Sequence, residues 1–315
     1  MKRILIIFLI FNFHYNYVFS QCCGGHSPIG GNTNQGTLPK YTLQINSFYK
    51  HAYSAGYMEN DHNSDFKFVE NANNNFLGLQ VGYGITKRFT AEIEAGYYLN
   101  RTQNFKLNDT KYILEGKGGS SATFTGRYNI YKDSIKDFEF TMGLGVRLPW
   151  SKIPQVIDGV ELAQDVQPSN GGYGLSLQSF LFKEFDDAEI NIFMINALII
   201  NTENTKKYKE GNSLITGLFF SKAFKKVSAI AQVRNELRAY AYRYGLRVNS
   251  SGGYRLLIVP QISYTVKQKY NLAFLYELPI YQYYNGIQIR DRYAFSVNLN
   301  IRLGLSKKAN QLCEK

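Results

Sequence analysis

The sequence predicts an all-β fold, a twelve-stranded antiparallel transmembrane β-barrel with short periplasmic turns and long external loops. Three observations predict it. From Tyr41 to Leu305, runs of roughly ten to fifteen residues alternate apolar and polar side chains, the period of a strand with two unlike faces. Twelve such runs follow one another, and an even count returns the chain to the end where it started. The connections alternate strictly in length. Short ones lie at Thr86 to Arg88, Lys132 to Asp137, Glu184 to Ala188, Phe224 to Lys226 and Val266 to Lys269. Long ones lie near Ser54 to Asn75, Arg101 to Gly119, Trp150 to Gly171, Thr202 to Asn212, Arg243 to Gly252 and Gln282 to Arg290. Tight turns at one end and long loops at the other are the plan of a bacterial outer-membrane barrel.

The N-terminus agrees with export. Lys2 and Arg3 precede an apolar run from Ile4 to Phe13, with small or polar residues around Ser20 and Gln21, the layout of a secretory signal peptide over residues 1–21. Its removal lowers the formal net charge from +12 to +10, because it holds Lys2 and Arg3 and no acidic residue. Residues 22–40 then form a Gly-rich periplasmic segment without strand pattern, either a flexible lead-in or a plug. Residues 41–305 form one barrel domain, and residues 306–315 a polar periplasmic tail. No later run of 18 apolar residues exists, which excludes a helical membrane protein. Aromatic residues make up 15% of the chain, with 25 Tyr and 22 Phe, and abundant Tyr suits an interface belt. The basic balance does not point to nucleic acid in an exported, membrane-spanning chain. Lys87, Arg88, Lys132, Lys136, Lys225, Lys226, Lys267 and Lys269 sit in short turns and Lys111, Lys117, Lys206, Lys207 and Lys209 in long loops, where charge is ordinarily solvated.

Reading every second residue separates the faces. The third strand turns Phe89, Ala91, Ile93, Ala95 and Tyr97 outward to lipid and Thr90, Glu92, Glu94 and Gly96 inward. The fifth sets Phe138, Phe140, Met142, Leu144 and Val146 against Glu139, Thr141, Gly143, Gly145 and Arg147. The twelfth sets Tyr293, Phe295, Val297, Leu299 and Ile301 against Ser296, Asn298, Asn300 and Arg302. The seventh, Ile190 to Ile200, and the eighth, Leu214 to Phe224, are apolar on both faces and leave the facing open. Strand glycines at Gly78, Gly82, Gly84, Gly143 and Gly145 spare lumen space or let the sheet bend. Pro260 and Pro279 each delete a ladder donor, so a bulge is expected at both. Lipid cannot satisfy an open sheet edge, so the strands must close on themselves.

The inward set gathers Lys50, Arg127, Arg147, Arg234, Arg238, Arg255 and Arg302 with Glu92, Glu94, Glu139, Glu236 and Glu277. Charges of both signs in one interior form either a polar permeation path or a packed ion network that fills the barrel. Arg234, Glu236 and Arg238 are the densest group.

Six segments, read in order, resemble the outer-membrane transporter family named for the meta-pathway of phenol degradation, which is similar in kind to the long-chain fatty-acid transporters. They are Tyr83 to Phe89 (YGITKRF), Gly126 to Ile130 (GRYNI), Gly143 to Pro149 (GLGVRLP), Asp165 to Gly172 (DVQPSNGG), Ser251 to Arg255 (SGGYR) leading to Pro260, and Leu278 to Tyr281 (LPIY) with Asn285 to Gln288 (NGIQ). The chain departs from the family at Trp150-Ser151, where Thr-Gly is usual, and at Pro168 to Gly171, where Pro-Gly-Thr-Gly is usual, both on one long loop. The resemblance implies a barrel that passes small, often hydrophobic solutes.

Cys22, Cys23 and Cys313 all fall on the periplasmic side, where a disulfide from Cys313 to one of the pair is one expectation. Cys22, Cys23, His26 and Cys313 are weak candidates for a soft metal ion, their spacing being far from diagnostic. A lipid anchor on Cys22 fits Phe19-Ser20-Gln21 poorly. A hydrolase would need a nucleophile, a base and an orienting group in convergence. His51 and His62, near Ser54 and Ser64, are neighbours in sequence only, so no enzyme and no cofactor are expected. The expectation is an outer-membrane channel or transporter whose partners are outer-membrane lipid and a small-molecule solute. The alternative is a non-conducting barrel that acts as a surface interaction or scaffold protein.

Overall fold

A computed structural model describes residues 36–107, 110–133, 135–185, 189–267 and 269–306. The signal peptide, Cys22, Cys23, His26 and Cys313 lie outside the described residues. The strands are β1 (Thr42–Asn60), β2 (His62–Ser64), β3 (Val69–Gly84), β4 (Phe89–Leu107), β5 (Thr110–Asp133), β6 (Phe138–Pro149), β7 (Val156–Ile157), β8 (Val160–Glu161), β9 (Gly174–Phe185), β10 (Ile190–Asn201), β11 (Tyr208–Lys209), β12 (Ser213–Phe224), β13 (Val227–Arg238), β14 (Tyr242–Arg243), β15 (Leu246–Arg247), β16 (Gly253–Val266) and β17 (Tyr270–Gly304).

Every ladder in the main sheet is antiparallel, in the order β17-β16-β13-β12-β10-β9-β6-β5-β4-β3-β1. Pairing of β1 with β17, from Thr42 opposite Gly304 to Tyr53 opposite Tyr293, closes the sheet on itself. Eleven strands make the ring, and the three-residue β2 pairs with β1 outside it. The expected count of twelve differs because β17 runs unbroken for 35 residues. Its first half pairs with β16 and its second half with β1. The halves lie along one another: Arg302 N donates to Lys269 O at 2.8 Å, and Phe274 and Tyr276 flank Phe295 and Tyr293 at ring distances of 6.4 and 6.1 Å.

The tight turns share one end with the two chain termini of the barrel, since Tyr41 N donates to Gly84 O and Leu305 N to Tyr41 O, both at 2.8 Å. At the other end the wall is uneven. β6, β9, β10, β12 and β13 have 12 residues each, whereas β1, β4 and β5 have 19, 19 and 24. Three of the expected long loops are therefore largely strand. Pairing continues through Ser54 to Asn60, Val69 to Asn75, Arg101 to Leu107 and Thr110 to Gly119, and β17 passes through Gln282 to Arg290. The reason lies on the outer face. Beyond the level of Tyr49 and Leu77 it changes from apolar residues to Asn71, Asn73, Asn75, Asn100 and Asn104, which bond across the strands (Asn75 Nδ2 to Asn100 Oδ1 2.6 Å; Asn104 Nδ2 to Asn71 Oδ1 2.6 Å) and along β3 (Asn73 Nδ2 to Asn71 Oδ1 3.2 Å). Alternation fades once that face is polar, but the ladder does not need alternation to persist.

The face assignments of the alternating strands agree with burial. Ile93, Tyr97, Leu144, Val146, Val297 and Leu299 are exposed on the outside, while Thr90, Thr141, Ser296, Asn298 and Asn300 are buried inside. In the two strands left open, Phe193, Ile195, Ile215 and Phe219 turn inward, Phe193, Ile195 and Phe219 packing with Phe180 and Ile230, and Leu198, Leu214, Leu218 and Phe220 turn outward. Of the two expected bulges, one occurs. The register of β16 with β17 shifts between Leu256 and Leu257, opposite Tyr281 and Pro279, leaving Ile280 as the extra residue. Pro260 sits opposite Ala231 with no shift; the ladder to β17 skips Val259 and Pro260 and resumes in the same register. The missing donor is thus absorbed by one interrupted rung rather than by an inserted residue.

A candidate permeation path

The strands carry the predicted charges to several levels of the interior rather than to one cluster. Lys50 on β1 and Glu277 in the first half of β17 meet across the second half of β17 (Nζ to Oε1 2.9 Å). Arg234 on β13 reaches the same carboxylate across β16, its Nη2 2.6 Å from Oε2, and holds Glu236 at 2.9 Å through Nε. Arg255 on β16 bonds both Glu236 and Asp291. Asp291 also accepts from Ser54 Oγ (2.8 Å) and Tyr284 Oη (3.1 Å). The result is one continuous ladder, Lys50–Glu277–Arg234–Glu236–Arg255–Asp291, over five neighbouring wall segments. Lys50, Arg234 and Glu277 keep only 8, 4 and 4% of their surface exposed, so each charge is desolvated and stands only because it is paired.

The other predicted residues stand apart from this ladder. Arg127 bonds Glu92 at 3.0 Å, and Gln80 Nε2 donates to the same Glu92 oxygen at 2.8 Å. Glu94, on the same strand face, sits opposite Gln80 and Thr123. Glu139 accepts from Thr141 Oγ1 (3.0 Å) and pairs loosely with Lys132 (3.4 Å). Arg302 donates to Gln44 at 3.3 Å near the turn end. Arg147 lies at the opposite end, 2.6 Å from Asn201 Oδ1 and 3.6 Å from Glu210. Arg238 is also at that end, in the field of Asp165 and Tyr208. Parity found the buried face but not the partners. Asp291 was missed because Arg292 is an extra residue between Tyr53–Tyr293 and Ser54–Asp291, which shifts the register there.

The described part of the N-terminal segment enters this interior at the turn end. Leu38 N donates to Thr90 Oγ1 (2.8 Å), Thr37 N to Glu139 Oε1 (3.3 Å), and the Leu38 side chain is buried. Gly36 lies against Glu139 and Phe180, and the carbonyl of Pro39 lies so close to Gly84 that a Cβ there would strike it. Gly84 is thus required for close approach of a second backbone rather than for bending. The aromatic patch of Phe180, Phe193 and Phe219 lies beside this entry, with Phe193 and Phe219 stacked at 4.3 Å.

At the far end, loops from the shorter wall form a roof. The loop between β6 and β9 packs Val166, fully buried, onto Gly116 of β5, and Arg101 Nη1 donates to Gln167 O at 2.8 Å. The loop between β10 and β12 locks to it through Asn204 Nδ2 to Asn170 O (2.7 Å), Asn170 Nδ2 to Glu210 Oε2 (2.7 Å) and Thr205 Oγ1 to Lys152 O (2.9 Å). The loop between β13 and β16 joins through Tyr244 N to Lys207 O (2.8 Å), and Asn285 Nδ2 reaches Tyr240 Oη at 3.3 Å. Burial pushes the Asp165 carboxyl up despite the pull of Arg101, Arg243 and Arg238, and burial likewise pushes the Tyr208 phenol up.

The residues weighed for hydrolysis are separated by the wall. His51 Nδ1 and Tyr49 Oη both approach Asn75 Oδ1, at 2.8 and 2.6 Å, whereas Ser54 Oγ points to Asp291 inside. His62 is an exposed partner of Asp61 at 2.6 Å.

The chain matches no protein-family model and no curated protein sequence. Its fold is similar to the COG4313 outer membrane channel from Pseudomonas putida F1, with a TM-score of 0.68 and 12% identity over 86% of this chain and 99% of that one. The NanC porin (TM-score 0.48, 10% identity, 83% of this chain and 100% of that chain) and the KdgM porin (TM-score 0.43, 8% identity, 81% and 98%) align more loosely. The fold is that of an outer-membrane β-barrel.

Proposed function

We propose that this chain is an outer-membrane channel or transporter for a small solute, with a wall of twelve spans once the two halves of β17 are counted separately. The observation that carries the reading is the composition of the interior. Among the described residues, Thr42 Oγ1, Ser263 Oγ, Ser296 Oγ and both amide atoms of Asn298 are buried without a protein partner. Buried polar atoms in that position are ordinarily satisfied by water. They lie on β1, β16 and β17, the strands that also carry Lys50, Arg255, Glu277 and Asp291, so a polar, water-bearing track runs along the same strands as the charges, opposite the aromatic patch. Such an interior suits solutes with an apolar part and a polar part. The charge pairs set selectivity, and the segment at Gly36 to Lys40 narrows the path at the turn end. That narrowing, with the interlocked roof, also supports the second reading, a non-conducting barrel that presents its loops to a partner.

Conductance of the purified barrel in planar bilayers separates the two. Discrete conductance steps are expected, with Arg234→Ala and Glu236→Ala shifting the cation-to-anion preference in opposite directions. A folded barrel that stays silent at every voltage and salt tested would sink the channel and leave the scaffold.

A further inference from the structure

The asparagines on the outer face of β3 and β4 continue an apolar groove that lies nearer the tight turns. Read across β1, β3 and β4, the outward rungs run Ser47–Leu79–Ala95, Tyr49–Leu77–Tyr97, His51–Asn75–Asn100, Tyr53–Asn73–Thr102 and Ala55–Asn71–Asn104. At the first two rungs Ser47 and Ala95 leave room between larger neighbours, and a groove of about 540 Å³ opens in the lipid-facing surface, lined by Leu77, Leu79, Tyr97, Trp150, Val297 and Leu299. The asparagines of the next three rungs form an uncharged ledge. Arg101, the one ionisable residue within 71–75 and 100–104, turns the other way, over the buried Tyr98 and onto Gln167 O of the roof at 2.8 Å.

The amides spend only part of their bonding capacity on each other. Asn75 Oδ1 accepts from Tyr49 Oη at 2.6 Å and lies 2.8 Å from His51 Nδ1, while Asn75 Nδ2 donates to Asn100 Oδ1 at 2.6 Å. Asn71 Oδ1 accepts from Asn104 Nδ2 at 2.6 Å and from Asn73 Nδ2 at 3.2 Å. Among the described residues this leaves Asn71 Nδ2 and Asn100 Nδ2 as donors, and Asn73 Oδ1 and Asn104 Oδ1 as acceptors, with no protein partner, on half-buried side chains that still meet solvent. A hydroxyl group both donates and accepts, so fixed donors and acceptors in alternation suit the hydroxyls of a neutral sugar; a phosphate only accepts and calls for Arg or Lys. On the β1 and β17 side the ledge is bordered by the ring pairs Tyr53–Tyr293 (5.4 Å) and His51–Phe295 (5.2 Å), whose tyrosines offer an apolar body with a polar tip.

We propose that this face docks a glycolipid of the outer leaflet, with an acyl chain in the groove and neutral sugars of the headgroup on the asparagine ledge. The sequence of apolar groove and then uncharged ledge selects the occupant. A free saccharide leaves the groove empty, and a phospholipid sets its phosphate on amides without a cation. The ledge lies beyond the groove on the way from the tight turns, which are periplasmic, so the sugars face the outside of the cell. The site is on the outer surface of the wall and does not depend on whether the barrel conducts.

The test uses the full mature chain, folded in detergent, and native mass spectrometry with three lipids of equal acyl chains: digalactosyl diacylglycerol as the probe, phosphatidylglycerol and phosphatidylcholine as headgroup controls. The digalactosyl lipid should be retained about tenfold more tightly than either control, the effect of a few added hydrogen bonds. Asn73→Ala combined with Asn104→Ala should remove that preference and leave retention of both controls unchanged, whereas Ala95→Leu, which fills the groove, should weaken all three. The ranking of the lipids is read on the unaltered chain, so it stands even if a variant does not fold. Equal retention of the three lipids overturns the proposal, as does a preference for phosphatidylglycerol, which would mark a site for anionic lipid. A preference that survives in the double asparagine variant also overturns it, since the sugar would then sit elsewhere. Release of the digalactosyl lipid by an excess of free galactose would make the ledge a free-sugar site and overturn the lipid assignment.

Discussion

A single carboxylate governs the interior ladder. Glu277 accepts from Lys50 and Arg234 together, and both cations are almost fully buried. Removing one partner of a buried pair leaves an uncompensated charge, at about 3–5 kcal/mol. Glu277→Ala is therefore expected to destabilise the barrel by about that amount, read as a lower midpoint in guanidinium unfolding from lipid vesicles, with Glu277→Gln losing less because it still accepts a hydrogen bond. A midpoint unchanged in Glu277→Ala would mean that the ladder is hydrated and its members independent. The sequence made the inward face of these residues legible through parity alone. It could not show that Lys50 pairs with Glu277, 227 positions away, because that depends on where the ring closes. Phe193 and Phe219 were illegible for a different reason: with apolar residues on both faces of their strands, no contrast exists from which to read direction.

At the scale of elements, punctuation proved more readable than extent. Each short connection falls where the alternation stops, and two residues, Lys225 and Lys226, suffice between β12 and β13. Lys225 there has φ of 59°, in the left-handed region that a side chain with a Cβ enters only at a cost. The first position of such a two-residue hairpin favours glycine. Lys225→Gly is expected to stabilise the barrel by about 1 kcal/mol, seen as slower unfolding in urea; faster unfolding would show that the lysine makes a compensating contact. The long connections were less readable. Around Asn71 to Asn75 and Arg101 to Lys117 the outer surface turns polar and the pattern of a lipid-facing strand disappears, although Cα pairing persists. Likewise Pro260 broke a rule of thumb without breaking the register, since a strand flanked on both sides tolerates one lost rung.

The whole molecule is a closed antiparallel wall, taller on one side, with its lower side bridged by interlocked loops. Closure was legible because lipid permits no free edge; the height difference was not, because nothing above the lipid constrains one face to be apolar. One residue at the boundary between these regimes gives the fold an optical readout. Trp150 is the only tryptophan, is 65% exposed, and lies with its ring over Gly119 on the outer surface, beside Leu77, Leu79 and Tyr97. Its indole is therefore expected to shift its emission to the blue when the unfolded chain inserts into vesicles, and to be quenched by brominated acyl chains more strongly when the bromines sit near the headgroups than at the bilayer centre. Refolding followed at this one wavelength would thus time the arrival of the loop-bearing rim at the far side of the membrane, the last stage in threading the barrel across.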